Sequence, residues 1–513
     1  MKKTKSTPTA PANCICYLAG AGPGDLGLVT LRVRELFEVA DVVVFDYLCN
    51  PELLKWAKPE AEIICVGKRA GQHKLPQDEI NALIVAKTRA GNRVLRLKGG
   101  DPFLFGRGGE EAEALALAGL PFEIVPGVTS ALAAPAYAGI PVTHRDFASA
   151  LAIFTGHEDP SKEDGSVDYD RIASFPGTKI MLMGVERLEA ITRKLEEKGL
   201  SPQTPVALVR WGTTGKQETI TGVLSDISAK AQAVDFKAPA VAVFGEVVTL
   251  REKLSWFEKR PLCGKRIVVT RSRQQIGGLS GELRELGADV LELPTIRMEQ
   301  PSDLKSFGEL VQDVHQYDWL MFTSQNGVAA FFEMFYKIYN DARAIGGIRI
   351  AAVGSSTARK VRDYHFAVDL QPSEYVAEAM IEEFQKTYGS VENQRILWVR
   401  GELGRDVLPK ELSRLGAIVD EAIAYRTVPE TEDPFGGIDR FKAEGADMIT
   451  FTSSSTVENF MALKLPIPEG LKTASIGPIT SQTMRALGLR VDVEAAKSNI
   501  SGLMDAIREY YGV

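Results

Sequence analysis

Three stretches rich in glycine and small residues each follow directly on an apolar run: GAGPGDLGLVT from Gly20, LKGGDPFLFGRGGE from Leu97 and PGVTSALAA from Pro126. Glycines let backbone N–H and C=O groups approach a ligand without a Cβ in the way, and in open α/β sheets such loops gather at the carboxyl ends of strands, where ligands bind. Three of them in the first 134 residues point to one shared cleft. The first is not G-x-G-x-x-G, so the dinucleotide fingerprint is absent. Pro23, Pro102 and Asp101 stiffen turns that a phosphate cradle would leave to glycine. Asp46 closes the apolar run DVVVFD, where burial would make its carboxylate a stronger general base. A cap for the following NPELL remains an alternative role.

These residues need elements to hold them. CICYLAG and VLRL read as buried parallel strands, and the apolar spacing of LRVRELFEVA after Thr30 reads as an amphipathic helix. The loops are then strand-to-helix turns of an α/β protein. Ordinary turns that hold no ligand have the same local pattern.

The segments GAGPGDLGLVT, ADVVVFDYL, VGKRAGQH, LKGGDPFLFGRGGEE, PGVTSALAAPAYAGIPVTHR, TGH and APAVAVFGEVV occur in that order. Through them residues 13 to about 258 closely resemble the tetrapyrrole (corrin/porphyrin) methylases, specifically uroporphyrinogen-III C-methyltransferase. The resemblance implies two α/β subdomains with a cleft between them, S-adenosyl-L-methionine as methyl donor, and a homodimer built through this half. It makes Asp46 the proton acceptor and Lys68 the proton donor. It places donor contacts on Pro23, Gly99, Gly100, Asp101, Leu104, Thr129, Ser130, Met183 and Gly212. Their types suit a donor: small residues allow main-chain contact, while Leu104 and Met183 offer adenine an apolar wall. Met181, two residues earlier in MLMG, competes with Met183 for that role. The substrate is a polycarboxylate, and RVLRLK with Arg107, His144 and Arg145 could meet some of its charges.

Near residue 260 the text changes. LREKLSWFEKRPLCGKR is charged, contains Pro261, and restarts with RIVVT, which sets a domain boundary there. The remainder echoes itself: KRIVVTRSR by QRILWVRGE, DWLMFTSQNGVAAFF by DMITFTSSSTVENFM, and IRIAAVGSSTARKV by LKTASIGPITSQTM. Each unit alternates strand and helix, so each reads as a small parallel α/β domain of flavodoxin-like kind. The set FTSQNGV, AVGSSTA, AYRT, FTSSSTVENF and SIGPIT resembles uroporphyrinogen-III synthase. That family has two α/β lobes joined by a two-stranded connector, which here would fall near ELPTIRMEQ and EAIAYRTVPE. The expected division is a disordered tail at 1–12, a methylase at 13–259 and a synthase at 260–513. Within the synthase, lobe one takes about 260–296 plus 428–513, and lobe two about 297–427. No Ser/His/Asp set or carboxylate pair follows residue 260, as suits a reaction that folds a substrate and donates hydrogen bonds. Tyr425 matches the tyrosine suspected of helping a hydroxyl leave. Ser324, Thr357, Ser453, Ser454 and Thr480 fall on strand-to-helix turns facing the expected cleft, where each could also be a helix cap.

Composition narrows the classes. The chain has 513 residues, 45% of them hydrophobic, with 60 basic against 67 acidic residues and a formal charge of −7. No basic excess exists for general nucleic-acid binding. No apolar run reaches the roughly 20 residues of a membrane span. MKKTKSTPTAPA lacks the apolar segment of a signal peptide, and a cytoplasmic protein is expected. Cys14 and Cys16 have no second pair or nearby histidine to complete a metal site, and the five cysteines read as reduced thiols. The leading expectation is a bifunctional enzyme. Its second half would close hydroxymethylbilane to uroporphyrinogen III with inversion of the last ring, and its first half would methylate that product twice to precorrin-2. The alternative is a methylase of another precorrin fused to a non-catalytic two-lobed tetrapyrrole-binding module.

Overall fold

The computed structural model describes residues 14–67, 75–158, 166–271, 276–372, 377–402, 407–430, 433 and 436–513. In the first half, β1 (Ile15–Gly20), β2 (Val42–Phe45), β3 (Glu62–Cys65), β4 (Arg93–Lys98) and β5 (Phe122–Val125) form an all-parallel sheet in the order β3-β2-β4-β1-β5. Its central strands are buried along nearly their whole length, which is why they read as continuous apolar runs. Thr30 caps the helix Leu31–Val39 by accepting from Val33 N at 3.4 Å, and the helix buries Val33, Leu36 and Phe37 against the sheet. Each of those side chains contributes roughly 1.5–3 kcal/mol of transfer energy.

The second subdomain contains β6 (Leu151–Thr155), β7 (Thr178–Leu182), β8 (Pro205–Arg210), β9 (Glu218–Val223) and β10 (Ala240–Phe244), ordered β6-β7-β10-β8-β9. Only β6 and β7 pair in parallel, and the other ladders are antiparallel. The helix Ser130–Tyr137 starts at the third loop of the first sheet. Its Ala131 and Ala134 enter the core of the second sheet, so one helix ties the two subdomains together.

The second half holds β11 (Arg266–Val269), β12 (Asp289–Glu292), β13 (Ile296–Glu299), β14 (Trp319–Phe322), β15 (Arg349–Ala352), β16 (Arg395–Gly401), β17 (Ile418–Pro429), β18 (Met448–Phe451), β19 (Lys472–Ser475) and β20 (Val493–Glu494). They form two sheets, β12-β11-β18-β19-β20 and β13-β17-β16-β14-β15. All ladders are parallel except β13 with β17, the antiparallel pair at which the chain crosses between sheets. The sequence echoes map β11 onto β16, β14 onto β18 and β15 onto β19, and the two sheets match in strand order under that mapping. The repeats are nevertheless not the domains. Each sheet takes one strand group from each repeat, which corrects the reading of each unit as its own small α/β domain.

Candidate functional site

The three glycine-rich loops of the first half meet where β1, β4 and β5 end. Gly22 and Gly100 exchange backbone hydrogen bonds of 3.2 and 2.8 Å. A Cβ on Gly127 would lie 2.3 Å from the Gly100 carbonyl oxygen, and one on Gly20 would lie 2.5 Å from it. Only glycine lets these three backbones close so tightly. Asp101 is used up locally: Oδ2 accepts from Gly127 N at 3.0 Å, and Oδ1 accepts from Phe103 N and Leu104 N at 2.8 and 3.1 Å. Thr129 caps the helix that begins at Ser130, accepting from Ala131 N at 3.3 Å. Leu104 packs on the second subdomain's core.

Across the cleft, Trp211 and Thr213 flank Gly212 with φ of 47° and 72°, a strained turn. Thr213 Oγ1 accepts from Asp25 N at 3.2 Å, and Tyr137 donates to Asp25 Oδ2 at 2.7 Å. The loop that carries Pro23 is thereby held to the second subdomain. The two methionines separate clearly. Met181 is buried, whereas Met183 is 50% exposed at a φ of 58°. A backbone cradle with no room for Cβ atoms, beside an exposed methionine, fits an S-adenosyl nucleoside. Lys68 lies outside the described residues.

Asp46 sits beside this cradle. The position of a Gly99 Cβ is 3.4 Å from Leu48 Cβ, and Asn50 Nδ2 donates to the Gly24 carbonyl at 2.8 Å. The cap of the following helical turn is Asn50, accepting from Glu52 N at 3.0 Å, so that role does not occupy Asp46. Burial is not its environment either. The carboxylate is 32% exposed and takes a 2.7 Å bond from Arg96 Nη2.

Arg96 and Lys98 correct a second expectation. Rather than meeting substrate carboxylates, they are buried under the sheet and share Glu111 Oε1, at 3.1 and 2.6 Å. Burial lowers the proton affinity of Lys98, Arg96 adds to that effect, and Glu111 opposes it. Two charged residues two apart on a buried central strand were the sequence signal for a buried counter-charge. Arg107 has a φ of 61° and pairs with Glu110 at 2.7 Å on the surface.

In the second half, Ser324 caps the helix Gln325–Ile338, accepting from Gly327 N at 3.0 Å, and its Oγ lies 3.0 Å from Tyr425 Oη. The Tyr425 ring lies over Gly401, where a Cβ would come within 2.8 Å, and burial raises its phenol above the ordinary value. Ser453 forms a capping box with Thr456 on the other lobe, and Ser454 Oγ accepts from Thr483 Oγ1 at 2.7 Å. Thr357 and Thr480 are buried, and the caps of their helices are Gly354 and Gly477. The structure thus joins Ser324 to Tyr425 and keeps Ser453 and Ser454 on a separate sheet.

The two halves touch through charge. Arg284 donates to Glu52 at 2.5 Å, Lys55 pairs with Glu292, and Lys216 pairs with Glu444; Glu292 also takes a bond from Arg284 of its own half. A cavity of about 350 Å³ lies between them, lined by Pro23, Tyr47, Trp211, Lys216, Arg260 and Arg440 among others.

Comparison with known proteins agrees with this geometry. The family model for tetrapyrrole (corrin/porphyrin) methylases matches residues 16–228, and that for uroporphyrinogen-III synthase HemD matches residues 278–505. The porphyrin biosynthesis protein HemD of Ruminiclostridium josui is 37% identical over 96% of this chain and 98% of its own length. The uroporphyrinogen-III C-methyltransferase of Bacillus subtilis (strain 168) is 42% identical over 62% of this chain and 65% of its own. The S-adenosyl-L-methionine-dependent uroporphyrinogen III methyltransferase of Methanosarcina barkeri is 48% identical over 46% of this chain and 93% of its own. The chain belongs to the family in which a tetrapyrrole methylase is fused to a uroporphyrinogen-III synthase.

Proposed function

We propose that this protein makes uroporphyrinogen III with its second half and methylates it twice with its first. The observation that carries the methylation is the closure of three backbone loops at Gly20, Gly100 and Gly127 beside Asp46. The names of relatives covering the whole chain and its first half support the same reading.

S-adenosyl-L-methionine supplies an electrophilic methyl group on sulfur. The loops at Pro23, Gly99–Asp101 and Thr129–Ser130 bind the donor through main-chain groups, with Leu104, Met183 and Gly212 closing the cleft. Positioning of the ring carbon behind the methyl group supplies most of the rate. When the ring carbon forms its new bond and the C–S bond breaks, S-adenosylhomocysteine leaves and the ring carries a positive charge; Asp46 takes a proton from the macrocycle beside the now quaternary carbon and leaves the ring neutral. In the second half, Tyr425 donates to the departing hydroxyl of the linear tetrapyrrole, with Ser324 orienting the phenol. The serines and helix N-termini of both lobes meet its carboxylates. The first half assembles as a dimer in this reading.

The deciding assay incubates the full chain with hydroxymethylbilane, with and without S-adenosyl-L-methionine, and follows products by chromatography. Uroporphyrinogen III without donor and precorrin-2 with it are expected. Type I isomer alone would remove the synthase, and unmethylated type III in the presence of donor would remove the methylase.

A further inference from the structure

The cluster beneath Asp46 has a composition that packing alone does not require. Arg96 is 1% exposed and Glu111 0%, and Lys98 is buried beside them. Burying cations in a protein core is strongly unfavourable unless opposite charges and hydrogen bonds compensate. Glu111 can balance one cation, and the carboxylate of Asp46 balances the other. Asp46 is thus the second carboxylate partner of the buried cations.

The hydrogen bonding is directional as well. On β4, Arg96 lies in register with Val44 of β2, two residues before Asp46. Its guanidinium is held on three sides: Nε donates to Glu111 Oε1 at 3.1 Å, Nη1 to the Leu97 carbonyl at 2.9 Å and Nη2 to Asp46 Oδ1 at 2.7 Å, with Nη2 also 3.1 Å from Glu111 Oε1. Glu111 Oε1 is itself gripped by Lys98 and by Gln77 Nε2 at 3.1 Å. A planar fork fixed at two ends by buried partners fixes the direction of the third bond. Of the four charged groups, Arg96, Lys98 and Glu111 are buried and Asp46 is 32% exposed.

We propose that Arg96, anchored by Glu111, is the positioning residue of the methylation step: it holds one carboxylate oxygen of Asp46 and leaves the other oxygen aimed at the substrate as proton acceptor. The proposal rests on the reading of Asp46 as the base. Arg96 touches neither donor nor substrate and acts only through Asp46.

A double-mutant cycle in the full chain tests it. Methylation of uroporphyrinogen III is measured for Arg96→Met, Asp46→Asn and the double variant, with binding of S-adenosylhomocysteine by calorimetry as the control for a folded cradle. Misplacing a reacting group by about 1 Å costs about a hundred-fold. Arg96→Met is therefore expected to lower kcat about a hundred-fold while KM and ligand affinity stay within about two-fold of the wild type. In the Asp46→Asn background the same change should alter methylation less than about two-fold, because no base remains to be positioned. Arg96→Lys keeps the charge but loses the fork, and about a ten-fold loss is expected; this variant carries the test if Arg96→Met does not fold. Equal losses from Arg96→Met in both backgrounds would assign Arg96 to structure alone and overturn the proposal. Wild-type turnover in Arg96→Met or Arg96→Lys would overturn it too. Unimpaired methylation by Asp46→Asn alone would instead remove the base reading on which it stands.

Discussion

The two halves solve the same problem, positioning, by different means. In the first, the three glycine-rich loops are locked to one another through short backbone contacts. Gly20, Gly100 and Gly127 interlock, Asp101 clasps Gly127, and the Asp25–Thr213 and Asp25–Tyr137 bonds tie the two subdomains together. In the second, Ser324 and Tyr425 sit on one sheet and Ser453 and Ser454 on another, joined covalently at the β13–β17 pair. A methyl transfer between two bound partners gains from a cradle formed in advance. Closing a long flexible chain into a ring gains from lobes that can approach around it. The first half should therefore fail sharply when an atom is added or a charge removed. The second should weaken by degrees.

The sharpest failure is expected at the base. Asp46→Asn keeps the shape and the hydrogen bond to Arg96 but removes the proton acceptor, and methylation should fall about a hundred- to ten-thousand-fold. Type III isomer formation by the same preparation should be unchanged. Equal loss of both activities would mean that the halves do not work independently and would break the contrast.

Next in size is the cradle itself. Gly127→Val places branched carbons against the Gly100 carbonyl, where even a Cβ would lie 2.3 Å away. Overpacking of this kind costs about 1–3 kcal/mol, or roughly five- to 150-fold in donor affinity. Calorimetry that finds wild-type affinity would show that the loops can part, against the picture of a locked site. Tyr425→Phe tests the other side. One hydrogen-bond donor lost from an adaptable site should slow cyclisation about ten-fold, and the type I share of product should rise as unassisted closure competes. Complete loss of cyclisation would mean that the second site is as rigid as the first.

What the sequence made legible follows a physical divide. Gly20, Gly100 and Gly127 stand in local patterns, strand then tight turn, and local patterns survive translation into structure. The echo of KRIVVTRSR in QRILWVRGE likewise marks equivalent strands, β11 and β16. The echo alone does not assign those strands to sheets, because that depends on distant partners such as Ile267 with Met448; only the resemblance to the synthases supplied the expected lobes. The antiparallel ladders of the second subdomain were hidden for another reason: β8 and β10 are apolar runs that would read alike in either direction. At the site, Asp46 was visible and its environment was not. Arg96 looks like a surface cation in RVLRLK until Glu111, 15 residues on, turns under the sheet to meet it. The buried charge pattern could have been flagged, since an all-buried strand cannot leave two cations unpaired.

The smallest expected effect lies at the seam between the halves, next to the donor loop. Lys216, four residues after Gly212, pairs with Glu444 of the second half, which also meets Arg266 at 2.9 Å and Arg440 at 3.5 Å. Burial opposes ionisation of Glu444, but the hydrogen bond from Lys216 and the Arg440 charge outweigh it and hold the carboxyl below its ordinary value. A carboxyl whose folded value is depressed contributes stability above its unfolded value of about 4.3, and that contribution is lost as the pH falls through the folded value. Glu444→Gln should therefore lower the melting temperature at pH 7, with the difference from wild type shrinking steadily below about pH 4.3. The pair is partly exposed, so the loss should be about 1 kcal/mol or less, and salt should reduce it further. Donor affinity in the same variant reads the coupling between the halves. If it stays at the wild-type value, the locked cradle is complete within the first half, as the near full-length match of the Methanosarcina barkeri methyltransferase to that half alone suggests. If it falls with the melting temperature, the second half is a working wall of the first half's site, and the two modes of positioning are joined at the turn that carries Trp211 and Gly212.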